Sequence, residues 1–195
     1  DNHLGYLEED PKRGNDSFRT FDEILNLGND LKVDMVLLGG DLFHDSNPSR
    51  ECLHRTMQIL RNRCMGGRPV NITLESEPGA PVSKTCDDDD ENDDSHGYDE
   101  ADESRTGKKR KGKKDEYINT CTPPHPNFSD PNYNVSLPVY TIHGNHDNPT
   151  GKDAGLSALD LLADANLINY FGKTHRVDEI VIPPVLLRKG ETKVA

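Results

Sequence analysis

VYTIHGNHDNPTG, residues 139–151, decides how the rest of the chain is read. Val139 to Ile142 is a short β-prone apolar run, and Gly144-Asn145-His146-Asp147 follows it at once. Four such residues add nothing to a hydrophobic core, so the strand ends where polar side chains are presented. VDMVLLGG at 33–40 repeats the pattern, as a nearly continuous apolar run that ends in two glycines and leads into Asp41. Such runs fit strands buried on both faces. DNHLG at 1–5 is a third polar cluster, with Asp1 and His3 in a D-x-H spacing.

Helical patterns alternate with these runs. Segment 16–31 carries Phe18, Phe21, Leu25 and Leu31 near helical spacing, with Asn15 or Asp16 as N-cap. Segment 49–64 places Leu53, Met57, Leu60 and Cys64 on one stripe, with Ser49 after Pro48 near its start. Segment 153–165 is rich in alanine and leucine and predicts a third helix. VNITLES at 70–76 is strand-like, as are 168–171, 179–182 and 185–188, and KVA at 193–195 reads as the opening of another strand. The alternation predicts an α/β sheet with its site at the carboxyl ends of strands.

The 195 residues suffice for one ordinary domain, yet only 32% are hydrophobic and the net charge is -12. The imbalance is concentrated between 77 and 130. CDDDDENDDSHGYDEADE at 86–103 is an acidic block and KKRKGKK at 108–114 a basic one. Neither can bury enough apolar surface to offset its ordering entropy, so a disordered insertion is expected over 79–125. It divides a domain with parts at 1–78 and 126–195. The basic block also fits a nuclear-import tag or a nucleic-acid patch. Cysteines 52, 64, 86 and 121 form no C-x-x-C pair and no zinc-ligand spacing, and are read as free thiols in a reducing compartment. No apolar stretch approaches the ~18 residues of a membrane span, so no membrane partner is expected.

The three polar clusters share a chemistry. Aspartate and the asparagine carbonyl suit manganese, magnesium or iron, and histidine tolerates manganese, iron and zinc. Two divalent ions ~3.5–4 Å apart need a bridging carboxylate and terminal ligands on each side. Asp41 is the candidate bridge, Asp1 and His3 would complete one ion, and Asn145 would serve the other. His146 could face the leaving oxygen of a phosphoryl displacement, with Asp147 orienting it. A lone D-x-H or G-D is uninformative, and the former is more often structural. The three clusters in this order, each beside a β-like run, are the signal.

D-x-H…G-D…G-N-H-D resembles the calcineurin-like metallophosphoesterases. GGDLFHDSNPSR at 39–50, RCMGGRPV at 63–70 and PVYTIHGNHDNPTG at 138–151 narrow the resemblance. They look like the eukaryotic double-strand-break repair nucleases of meiotic recombination, counterparts of bacterial SbcD. RGNDSF at 13–18 and PPVLLRKGETKVA at 183–195 fit the same family. The resemblance implies a metallophosphoesterase sandwich, of which this chain is the N-terminal part. It implies a nucleus-located, Mn2+-dependent nuclease holding two ions, with 3′-to-5′ exonuclease and endonuclease activity on DNA. It also implies a homodimer, an SMC-like coiled-coil ATPase and a forkhead-domain adaptor. Carried over by position, Asp1, His3, Asp41 and Asn145 match metal ligands and His146 the catalytic histidine. His44 matches a second active-site histidine that helps orient the DNA end or phosphate. Segments 49–64 and 153–165 match helices that pack the homodimer, so Leu53, Met57 and Leu60 are either core or dimer surface.

The family completes its metal site with later histidines, including a G-H-x-H motif that this chain lacks. The 195 residues are therefore expected to be inactive alone. Outside the insertion the chain is still acidic, which counts against autonomous DNA binding. Two other functions compete. A phosphatase or cyclic-nucleotide phosphodiesterase could use the same core, but protein phosphatases usually follow G-D with a V-D-R-G-like segment. Here Leu42-Phe43-His44 follows, with no arginine until Arg50. The other is an inactive scaffold for dimerisation and adaptor binding.

Overall fold

The computed structural model describes residues 1–76, 125–149, 155–173 and 184–195. The strand expected at 179–182, the start of the third helix, Cys86 and Cys121 lie outside the described residues, as does nearly all of the expected insertion.

Helix α1 spans Asp16–Asp30 and buries Phe18, Phe21, Leu25 and Gly28. Those positions recur every three to four residues, so one stripe faces the core. The Asn15 side chain makes no capping hydrogen bond to the helix and instead accepts from the Arg55 guanidinium. Leu31, expected on the buried stripe, is 68% exposed because the helix has ended before it. Helix α2 spans Arg50–Cys64, and the Ser49 hydroxyl accepts the Cys52 N–H at 2.9 Å. Its buried residues are Cys52, Thr56, Leu60 and Cys64. Leu60 and Cys64 of the expected stripe are buried, while Cys52 and Thr56 lie deeper than Leu53 and Met57. Thr56 is tolerated inside because its hydroxyl donates to the Cys52 carbonyl at 2.8 Å. Leu53 and Met57 are half-buried at the core's edge.

Arg63 fastens α2 to α1. Its guanidinium grips both Asp22 carboxylate oxygens at 2.7 Å and the Asn26 side-chain Oδ1 at 2.8 Å. The planar fork fits a carboxylate bidentately.

The central sheet has the order β1-β3-β4, all parallel, with β1 at Val36–Leu38, β3 at Val139–Thr141 and β4 at Asn169–Tyr170. Strand β3 is central and wholly buried, as its apolar run predicts. It serves two cores, because alternate side chains point to opposite faces. Val139 joins the main cluster with Phe21, Leu25, Phe43, Leu60 and Leu159, whereas Tyr140 joins a smaller one with Ile72 and Leu187. The run at 33–40 differs from expectation. Only three of its residues form β1, and Leu37 is 63% exposed. Among the described residues β1 pairs with β3 alone, at the edge of this sheet.

Helix α3, Ala158–Asp164, lies between β3 and β4 in the chain. A capping box of Ser157 and Asp160 starts it. A second, antiparallel sheet has the order β2-β5-β6, formed by Thr73–Leu74, Leu187–Lys189 and Thr192–Val194. The β-like segments at 70–76, 185–188 and 193–195 thus supply strands, each shorter than or offset from its pattern. Cys52 and Cys64 are free and buried, and burial pushes both thiols up to about 12.

Candidate metal centre

Because β1 and β3 are parallel neighbours, the loops that follow them leave the sheet side by side. Gly40 adopts φ +104, and a Cβ there would stand 2.7 Å from the Gly144 backbone nitrogen. A Cβ on Gly144 would collide with the Asp41 carboxylate. The two glycines permit a contact between loops that no other residue type would allow.

Asp147 locks that contact. It is 1% exposed. Its carboxylate accepts the backbone N–H groups of Gly144 at 2.6 Å, Leu42 at 2.7 Å, Asp41 at 3.3 Å and Phe43 at 3.4 Å. Asp147 is expected from the sequence to orient His146, and the hydrogen bonds found for it run to backbone amides of both loops. The carboxylate is committed to backbone amides, and the His146 ring is held elsewhere. Its Nδ1 lies 2.7 Å from the His44 carbonyl oxygen.

The N-terminal segment runs beside the same loop. Asn2 and His3 donate their backbone N–H groups to the Asp41 carbonyl at 2.9 and 3.0 Å, and Leu4 donates to the Leu42 carbonyl at 2.8 Å. His44 donates back to the Leu4 carbonyl at 3.0 Å. Leu4 and Phe43 form a parallel bridge and both are buried, which anchors the polar residues on either side. His3 and Asp41 adopt φ +47 and +49, a left-handed conformation rare for residues with a Cβ. Such strain is sustained only where surrounding contacts over-determine it, as the amides do here.

These constraints bring Asp1, His3 and Asp41 together, with one ligand atom of each within 4.8 Å of the others. Asp41 Oδ1 accepts the His146 backbone N–H at 2.9 Å. Asp41 is buried, Asp1 is exposed and His3 is half-buried, so the group opens to solvent on one side. Two carboxylates and an imidazole fit a divalent ion of the manganese type. Asn145 lies between Gly144 and His146 with its side chain exposed.

A second group adjoins the first. Donor nitrogens of His3, His44 and His146 also lie within 4.8 Å of one another. The His44 and His146 rings stack at 5.2 Å between centroids, and His3 stands edge-on to His146 at 4.8 Å. Tyr6 packs edge-on against His44 at 4.9 Å. Sequence reasoning did not single out Tyr6 or the His44 carbonyl. Tyr6 was legible only as an aromatic ring just after the Asp1-to-Gly5 turn. A backbone carbonyl leaves no trace in residue type.

A mixed α/β chain with its strand-end loops drawn around a His/Asp group of metal-binding character is the class that fold and site define. No protein-family model matches the chain. The chain is 42% identical over its whole length to the double-strand break repair protein MRE11 of Homo sapiens. It is 43% identical to MRE11 of Gallus gallus and 40% identical to double-strand break repair protein mus-23 of Neurospora crassa. It spans about a fifth of those proteins, 22%, 23% and 21% of their lengths. The chain is thus similar over its whole length to a part of these double-strand break repair proteins, in keeping with the resemblance of its motifs. Among the described residues no helix is long and apolar enough to cross a membrane.

Proposed function

We propose that this chain is the N-terminal part of the phosphoesterase domain of a Mn2+-dependent DNA nuclease that processes broken DNA ends in repair and meiotic recombination. The observation that carries the reading is the meeting of Asp1, His3 and Asp41 within 4.8 Å, beside His146. Asp1, His3, Asp41 and Asn145 would hold two ions, together with ligands from outside these residues. When bound, the ions supply Lewis acidity toward a phosphodiester and lower the pKa of a water.

The chain's own residues have separate tasks. Asp41 has one oxygen engaged by the His146 N–H, which fixes the carboxylate's direction and leaves the other oxygen for a cation. The His44 carbonyl only accepts hydrogen bonds, so His146 Nδ1 carries the proton against it. That leaves His146 Nε2 to handle the leaving oxygen, as proton donor when the ring is charged. His44 is stacked on His146 and braced by Tyr6, which supports its assignment to the phosphate or the DNA end. Leu42 and Phe43 are fully buried, which favours this reading over a phosphatase with an arginine clamp in that segment.

The second cluster of Ile72, Tyr140 and Leu187 across the sheet fits the sandwich architecture. Half-buried Leu53 and Met57 on α2, with exposed Leu161 on α3, fit a homodimer surface built from those helices. An SMC-like coiled-coil ATPase, a forkhead-domain adaptor and a nuclear location follow from the family resemblance.

The test uses the full-length natural protein with duplex DNA and manganese. His146→Asn should abolish 3′-to-5′ digestion while light scattering still reports a dimer. Digestion at the parent rate by that variant would remove the role assigned to His146, and a parent protein that leaves duplex DNA ends intact with manganese present would remove the nuclease reading.

A further inference from the structure

The histidine group has donor chemistry unlike its neighbour's. Nδ1 of His3 and Nδ1 of His44 stand 3.4 Å apart. Two ligands on a tetrahedral zinc with bonds of ~2.0–2.1 Å are separated by about 3.3–3.4 Å, so this pair already has the spacing of one tetrahedral edge. One ring nitrogen from each of His3, His44 and His146 lies within 4.8 Å of the other two. His146 is also prepared as a ligand. Its Nδ1 proton goes to the His44 carbonyl at 2.7 Å, which fixes the tautomer that keeps a lone pair on Nε2. Zinc-ligating histidines are held from behind in the same way. Tyr6 against the His44 ring and the stacking of His44 on His146 restrict how far those donors can drift.

We propose that His3, His44 and His146 form an all-imidazole site for zinc, distinct in ligand chemistry from the Asp1, His3 and Asp41 group. Three neutral imidazoles without a carboxylate suit a borderline-soft ion better than manganese or magnesium. His3 belongs to both groups, so a zinc ion in the triad draws away a ligand that the mixed group uses. It also occupies Nε2 of His146. Zinc is therefore an inhibitor of hydrolysis supported by manganese. That last clause, unlike the site itself, rests on the nuclease reading. The alternative for the close His3–His44 contact is an ordinary N–H···N hydrogen bond between neutral rings, with no affinity for metal.

Cobalt(II) and zinc salts added to metal-free, full-length natural protein separate the two. Tetrahedral cobalt gives intense visible absorption, and octahedral cobalt does not. The expected result is such a spectrum at one equivalent of the triad, bleached by stoichiometric zinc. His44→Ala and His146→Gln should each weaken zinc binding by at least ~10–100-fold. His44→Cys should keep it, because a thiolate replaces the imidazole. Manganese binding by His44→Ala, read by electron paramagnetic resonance, should persist. Absence of the tetrahedral spectrum, or parent-like zinc affinity in both folded variants, overturns the site whatever the activity. A full spectrum with no loss of manganese-supported DNA digestion overturns the inhibition alone.

Discussion

Asp147 Oδ2 accepts the backbone N–H of Leu42 at 2.7 Å across 105 residues of sequence. Together with its bonds to Gly144, Asp41 and Phe43, this makes one buried carboxylate the joint between the loops after β1 and β3. The candidate ligand Asp41 is positioned by that joint from behind, and His146 lies one residue before Asp147.

Asp147→Asn keeps the shape but turns one acceptor oxygen into a donor facing backbone N–H groups. Each amide left without a partner in a buried setting costs about 1–3 kcal/mol. Denaturant unfolding of the full-length protein should show a loss of that order or more, with an unchanged dependence on denaturant. A variant as stable as the parent would mean that the amides find other partners and that Asp147 is not the joint.

Gly144→Ala tests the contact between the loops directly. The new methyl group would meet the Asp41 carboxylate and stand 2.7 Å from the Asp41 backbone nitrogen. The collision is with a buried side chain and backbone, so the loops must separate. Manganese affinity of the full-length protein, titrated by electron paramagnetic resonance, should fall by at least ~10-fold, as when the support behind a ligand is lost. Parent-like affinity would show that the loops can part without disturbing Asp41.

Much of this arrangement was legible in the sequence, and the reasons are local. A β-prone run followed by glycine and polar residues marks a strand end wherever it occurs, so Asp41 and Asn145 to Asp147 could be placed on loops without knowing the fold. The helices were legible from Phe18, Phe21 and Leu25, and from Leu60 and Cys64, because one face of each meets the core. The burial of Thr56 on α2 could not be read, because this polar residue hides its hydroxyl on its own helix. The exposure of Leu37 could not be read, since residue type does not tell an edge strand from a central one. Nor could the task of Asp147, which depends on amides more than 100 residues away in the chain.

The clamp between α1 and α2 should leave a mark on acid stability. The Arg63 guanidinium, bonded to both Asp22 oxygens, holds the Asp22 carboxyl below its ordinary value of 3.8. A carboxyl lowered in the folded state lends stability that is present above its unfolded pKa and lost as pH falls through the folded one. Both side chains are more than a third exposed, at 35% and 37%, so solvent screening limits the effect to about 1 kcal/mol or less. Asp22→Asn should therefore be less stable than the parent at neutral pH, and the gap should close as pH falls below 3.8. Unfolding midpoints measured from pH 6 downward, in steps, check this. A gap that stays constant to the lowest pH would assign the loss to altered packing between the helices rather than to the ion pair.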